Sequence, residues 1–198
     1  NFFTGATALA SAFTAVGAFP FSSPTSRDAA VTTSLTTRDN SVKISAANES
    51  TGLVIAEIYD ATPNANFITT TPRLLNVSVL KSLGTGLTVG FTVAGSTPKT
   101  VLIRAIGPTL GDFGVPGTVA DPQLVLFNSA STKITENDNW GGTPALTAAF
   151  TSVGAFALPA TSKDAALLTT LQPGGYSVQV TGVADSTGAA LVEVYEVP

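Results

Sequence analysis

The chain has 198 residues, 44% of them hydrophobic and 11% charged, with a formal net charge of −4. That apolar content excludes a disordered segment, and nine Lys/Arg scattered along an acidic chain exclude the basic stripe of a nucleic-acid binder. His, Cys and Met are absent, which removes disulfides, thiolate nucleophiles, the commonest metal ligands and the usual base behind a Ser or Cys nucleophile.

Residues 1–21, NFFTGATALASAFTAVGAFPF, carry no charge and invite a signal-peptide or membrane reading. They lack the basic start of a signal peptide, and Gly5, Gly17, Pro20 and several Thr/Ser thin their apolarity, so no membrane span is expected. The segment also returns further on, as NWGGTPALTAAFTSVGAFAL (139–158). Leu9, Phe13, Val16, Gly17, Ala18 and Phe19 recur as Leu146, Phe150, Val153, Gly154, Ala155 and Phe156. TSRDAA (25–30) recurs as TSKDAA (161–166), and IAEIYD (55–60) as LVEVYE (191–196). The offset is 137 residues at first and 136 after a one-residue deletion, with about two in five positions identical. A period far above the roughly 20–50 residues of solenoids makes the unit a whole domain. Residues 64–198 then form one complete copy and residues 1–63 the second half of another, joined at TPNAN (62–66). A chain without Met reads as processed or as a fragment.

The complete copy reads as strands at LLNVSVL (74–80), LTVGFTVAG (87–95), KTVLIRAIG (99–107), PQLVLFN (122–128) and TKITEN (132–137). AALLTTL (165–171), YSVQVTGV (176–183) and AALVEVYEV (189–197) follow. These runs are rich in β-branched and aromatic residues, and turn signals such as Gly84-Thr85-Gly86 and Pro173-Gly174-Gly175 separate them. One segment breaks the pattern. In TPALTAAFTSVG (143–154), Thr143 suits an N-cap, Pro144 the first helical position and Gly154 the C′ position, with Leu146, Phe150 and Val153 on one stripe. The expected fold is all-β: jelly-roll-like β-sandwich repeats, one and a half copies, with one short helix per copy.

DPQLVLFN (121–128), ENDNW (136–140) and QPGGYSVQVTG (172–182) resemble the pre-peptidase C-terminal β-sandwich: an Asp before an "LxLF/Y" strand, an "NDN" turn and a "PGxYxVxVxG" hairpin. Residues 71–115 also resemble long repeat modules of giant secreted bacterial surface proteins. The resemblance implies a non-catalytic appendage outside the cell, with calcium held in turns in some members. The first half-copy departs from the pattern, since QPGGY (172–176) becomes TTRDN (36–40).

Carboxylates are the plausible acid/base groups. Glu57 and Glu193 each precede a tyrosine by two residues, Tyr59 and Tyr195, which alternation places on the same face. The pattern fits a surface Glu–Tyr stripe; catalysis needs a second carboxylate that the sequence does not locate. Asp121, Glu136 and Asp138, with the neighbouring asparagines, are oxygen-rich and suit either Ca²⁺ or a plain Asx turn, although D-x-N-x-D-G spacing is missing. Ca²⁺ is the one cofactor this pattern suggests. Arg27-Asp28 and Lys163-Asp164 recur before a strand as loop anchors or subunit salt bridges. Trp140, the single tryptophan, suits a packing aromatic at the helix entry or a platform for a glycan. GTGLTVG (84–90) is no phosphate loop, because it lacks Lys-Ser/Thr and opens onto a strand.

The half-copy carries the functional expectation. Val31, Leu35, Val42, Ile44, Leu53, Ile55 and Ile58 have stayed apolar, as core residues do, although half a sandwich cannot cover them. Three covers are open: packing on the complete copy within the chain, a longer tandem array of which this chain is a window, or strands from a neighbouring chain, and the last is the one favoured here. The chain therefore reads as a non-enzymatic structural subunit of an extracellular filament or surface layer, a homopolymer joined head-to-tail by strand complementation. The alternative is a carbohydrate-binding or accessory module of a larger secreted protein.

Overall fold

A β-strand needs a neighbour for its backbone N–H and C=O groups, and chain topology decides which stretches find one. The computed structural model describes residues 6–23, 25–36, 39–66 and 68–198. The chain divides into two units, Asn1–Leu74 and Leu75–Pro198. The first carries one helix, α1 (Ala6–Val16), and 3-10 turns at Ala47–Glu49 and Asn64–Asn66, with no strand among its described residues.

The second unit holds eight strands: β1 (Asn76–Leu83), β2 (Leu87–Val93), β3 (Lys99–Ile106), β4 (Pro122–Asn128), β5 (Lys133–Asn137), β6 (Ala165–Leu171), β7 (Gly174–Gly182) and β8 (Gly188–Glu196). They form two antiparallel sheets, ordered β1-β8-β3-β6 and β2-β7-β4-β5. The pairs β1·β8, β2·β7, β3·β6 and β4·β5 are nested, so the first half of the unit is a ribbon against which the second half runs back. Wrapped into two sheets, that ribbon is a jelly roll, and the unit is a β-sandwich module.

The two sheets face each other through Val101, Ile103, Ala105, Leu124, Leu126, Val178, Val180, Ala190 and Val192, all buried. The β1-β8-β3-β6 sheet is covered on its other face too. Leu102, Ile106, Ala166 and Tyr195 pack there against Leu146, Ala149, Phe150 and Leu158 of helix α2 (Pro144–Val153) and its flanks. Double burial explains why β3 reads as a nearly unbroken apolar run, whereas β4 alternates. Thr143 caps α2 by accepting the Leu146 N–H at 3.4 Å, and Gly154 closes it in the left-handed region at φ 71°.

The described residues of 1–63 hold no strand, and the topology of the second unit bears on what half of such a module could form. None of β6, β7 and β8 is bonded to another of the three: β6 pairs with β3, β7 with β2 and β4, and β8 with β1 and β3. A second half on its own therefore has no ladder to make. Local geometry nevertheless recurs at the sequence offset. Gly17 ends α1 at φ 71° with the Ala18 N–H on Phe13 O at 2.9 Å, and Ala155 bonds Phe150 O at 2.9 Å after Gly154. The 3-10 turn Ala47–Glu49 has Asn48 at φ 56°, and the turn Val183–Asp185 has Ala184 at φ 52°.

Candidate functional site

Arg104 sits in the middle of β3, directly opposite Glu193 of β8, and is completely buried. Its Nε donates to Glu193 Oε2 at 2.8 Å, its Nη2 to the same oxygen at 2.5 Å and its Nη1 to the Phe156 carbonyl at 2.6 Å. The guanidinium lies 4.4 Å from the Phe156 ring centroid, 4.9 Å from that of Phe150 and 5.9 Å from that of Tyr195. Glu193 Oε1 accepts from the Tyr195 hydroxyl at 2.9 Å and from Ser78 Oγ at 3.3 Å. The charge is thus paired, hydrogen-bonded and ringed by aromatics, the conditions under which a buried ion pair is tolerated. Burial, with the Glu193 charge and hydrogen bond added, pushes the Tyr195 hydroxyl up to about 12, against a smaller lowering by Arg104.

A second network centres on Asp164, also completely buried. Oδ1 accepts the backbone N–H groups of Gly107 at 2.8 Å and Thr109 at 3.4 Å; Oδ2 accepts from Thr109 Oγ1 and from Ser162 Oγ at 2.7 Å. Its carbonyl takes the Trp140 backbone N–H at 2.8 Å. Asp164 therefore straps the end of β3 to the loop before β6. Gly107 is required there, because a Cβ would stand 2.3 Å from the Val119 carbonyl oxygen. Nearby, Asn137 Oδ1 accepts the Ala166 N–H at 3.0 Å, a second tie between first-half and second-half residues.

Several sequence expectations change. Glu193 and Tyr195 are not a surface stripe; they lie beneath α2, and the Glu193 carboxylate is committed to Arg104. The signal was a lone arginine inside the apolar run KTVLIRAIG, which needs a buried carboxylate. Asp121, Glu136 and Asp138 are not brought together as a metal cage. Asp121 pairs with Lys163 at 2.5 Å, Glu136 with Lys133 at 2.8 Å, and Asp138 is exposed. No group of three or more potential ligands forms among the described residues. Trp140 is buried against Phe150, ring centroids 5.3 Å apart, with its indole N–H on the Pro159 carbonyl at 2.9 Å. A ring so packed presents no open face to a sugar. Its counterpart Phe3, and residues 37 and 38 of the altered hairpin, lie outside the described residues.

A shallow open depression of about 270 Å³ is lined by Thr85, Gly86, Leu87, Thr88, Gln179, Val180 and Thr181, and carries no titratable side chain. No described helix is long and apolar enough to cross a membrane.

Residues 1–63 present the opposite picture. Val31, Leu35, Val42, Ile44, Leu53, Ile55 and Ile58 are 56–103% exposed, on backbone that belongs to no helix or strand. Leu171, Val178 and Val180, the counterparts of Leu35, Val42 and Ile44, are 0–4% exposed in the inter-sheet core. The polar members keep their local bonds. Ser26 Oγ donates to Asp28, as Ser162 does to Asp164, and the Tyr59 hydroxyl donates to Glu57 at 3.2 Å, as Tyr195 does to Glu193.

No protein-family model matches the chain, and no curated protein matches it. Among solved structures, it is similar to the pre-peptidase C-terminal domain of a collagenase from Bacillus anthracis, at 14% identity and a TM-score of 0.38, over 61% of this chain and 89% of that one.

Proposed function

We propose that the chain is a non-enzymatic structural subunit of an extracellular fibre or surface layer, joined to its neighbours through residues 1–63. One observation carries this reading: an apolar set matching the core of the β-sandwich lies exposed on backbone that has no strand partner. Seven large apolar side chains exposed within about thirty residues support an association site. Strand addition would supply main-chain hydrogen bonds, and burial would contribute about 25 cal/mol per Å². The contact joins unlike surfaces, so it propagates head-to-tail instead of stopping at a pair. A charged fraction of 11% lowers repulsion between packed subunits.

Light scattering and negative-stain microscopy test the reading. The expected result is a mass that grows with concentration and ends in regular filaments or sheets. A monodisperse monomer at millimolar concentration would overturn it.

A further inference from the structure

Two open sheets leave four strand edges, and an edge with free N–H and C=O groups is a pairing site unless something guards it. Among the described residues these edges are β1, β6, β2 and β5. β5 is five residues long, begins at Lys133, and meets a register shift between Leu126 and Phe127 of β4. β1 carries the exposed Lys81. β6 gives its Ala166 N–H to the Asn137 side chain at 3.0 Å. β2 has none of these guards. It holds no charge and no proline, pairs with β7 in unbroken register from Leu87 to Val93, and has no described strand on its other side. Leu87, Val89 and Phe91 pack on the inter-sheet core but are only partly buried, while Thr88, Gly90 and Thr92 are exposed.

The sequence of β2 says what fits this edge. LTVGFTV (87–93) reads alike in both directions about Gly90: Val89 answers Phe91, Thr88 answers Thr92 and Leu87 answers Val93. Two such strands, antiparallel about a two-fold axis at Gly90, place threonine opposite threonine and apolar opposite apolar, with the glycines face to face. Cross-strand pairs of these kinds stabilise a ladder, and this register keeps core-facing residues opposite core-facing ones. The other edges lack the symmetry. Reversed about their centres, Asn76 meets Leu83 in β1, Ala166 meets Thr170 in β6 and Lys133 meets Asn137 in β5. We infer that β2 joins β2 of a second copy of this chain, antiparallel about Gly90, so that the β2-β7-β4-β5 sheets of both copies run as one. The contact is isologous, so by itself it stops at a pair. It does not depend on residues 1–63; together with head-to-tail growth it ties filaments side by side, as a layer requires.

Because the chain has no cysteine, introduced thiols read the register in the full chain. Residues directly opposed in an antiparallel pair have Cα atoms about 4.5–5.5 Å apart, within disulfide reach, whereas the two Thr88 residues would lie about 13 Å apart along the strands. Under mild oxidation Gly90→Cys should cross-link to itself. Thr88→Cys mixed with Thr92→Cys should cross-link at least about tenfold faster than either variant alone. Position 90 accepts a side chain, since a Cβ there meets only the Tyr176 carbonyl oxygen, at 3.8 Å. Gly90→Lys should weaken pairing at least about tenfold by setting like charges opposite each other, and mixing it with Gly90→Glu should restore pairing, which a folding defect would not allow. Mass is read by light scattering. A mass that doubles and grows no further at any concentration, and returns to a monomer's with Gly90→Lys, would support the β2 contact and overturn the joining role of residues 1–63. Growth untouched by Gly90→Lys, with the mixed thiols no faster than the single ones, would overturn the β2 contact and spare that role. Pairing lost in both charged variants and not regained on mixing would also overturn the β2 contact.

Discussion

Arg104 shows how much one side chain can organise. It stands in β3, and three donated hydrogen bonds reach β8 and the loop after α2 while three aromatic rings surround the charge. Removing it alone leaves Glu193 buried without its partner. Arg104→Met should therefore lower the stability of residues 75–198 by about 3–5 kcal/mol in urea titration. Arg104→Met combined with Glu193→Leu should recover most of the loss, since apolar replacement of a whole buried pair is nearly neutral. Tyr195 adds a pH signature. An unfolded tyrosine ionises near 10, whereas the folded one keeps its proton to about 12. Between those values the native state holds the extra proton, so stability falls as pH rises, by about 1.4 kcal/mol per pH unit. Tyr195→Phe should abolish that part of the slope while costing stability at neutral pH, and denaturation curves at pH 9.5, 10.5 and 11.5 check it. Single residues were the hardest scale to read from sequence. Glu136 and Asp138 are two residues apart in the chain, yet Glu136 pairs with Lys133 while Asp138, just past the end of β5, is exposed. Arg104 looked like an interruption of an apolar strand; its meaning depends on a partner 89 residues away.

At the scale of elements, local chemistry carried more of the information. The helix signals at Thr143, Pro144 and Gly154 all operate as their chemistry requires. Thr143→Ala should cost about 1 kcal/mol, because the Leu146 N–H loses its acceptor, and Thr143→Asn should restore it; thermal melts of the full chain measure both. Each strand run read from the sequence is a strand, and the ends differ for identifiable reasons. β7 begins at Gly174, inside what reads as a turn, because Gly174 and Gly175 pair with Val93 and Thr92. β1 starts only at Asn76, leaving Leu74 and Leu75 exposed. Strand order was not legible, since each nested pair except β4·β5 joins segments far apart in sequence and no local pattern encodes such a choice. Among the described residues of 1–63 the same β-rich composition yields no strand. Propensity makes a strand only where a neighbour exists.

At the scale of the whole molecule, the repeat read from the sequence is compatible with the jelly-roll order. The sequence offset said that residues 1–63 match the second half of a module; the jelly-roll order shows that this half holds no strand pair of its own. Two kinds of stability should therefore coexist in one chain. Residues 165–196 are locked by first-half strands already present, so their exchange protection belongs to the folded unit and should not depend on protein concentration. If residues 28–59 gain partners by association, as proposed, their protection should appear as concentration rises and follow the growth in mass, as mass action requires of structure supplied by a bound partner. Hydrogen exchange across a hundredfold dilution series reads both segments in one sample. Low ionic strength should change the dilution midpoint little, because the exposed set is apolar and its one retained carboxylate–tyrosine pair works only once desolvated. Protection over 28–59 that is high and flat with dilution would mean that these residues close on themselves, and the link between exposed apolar surface and assembly would be lost.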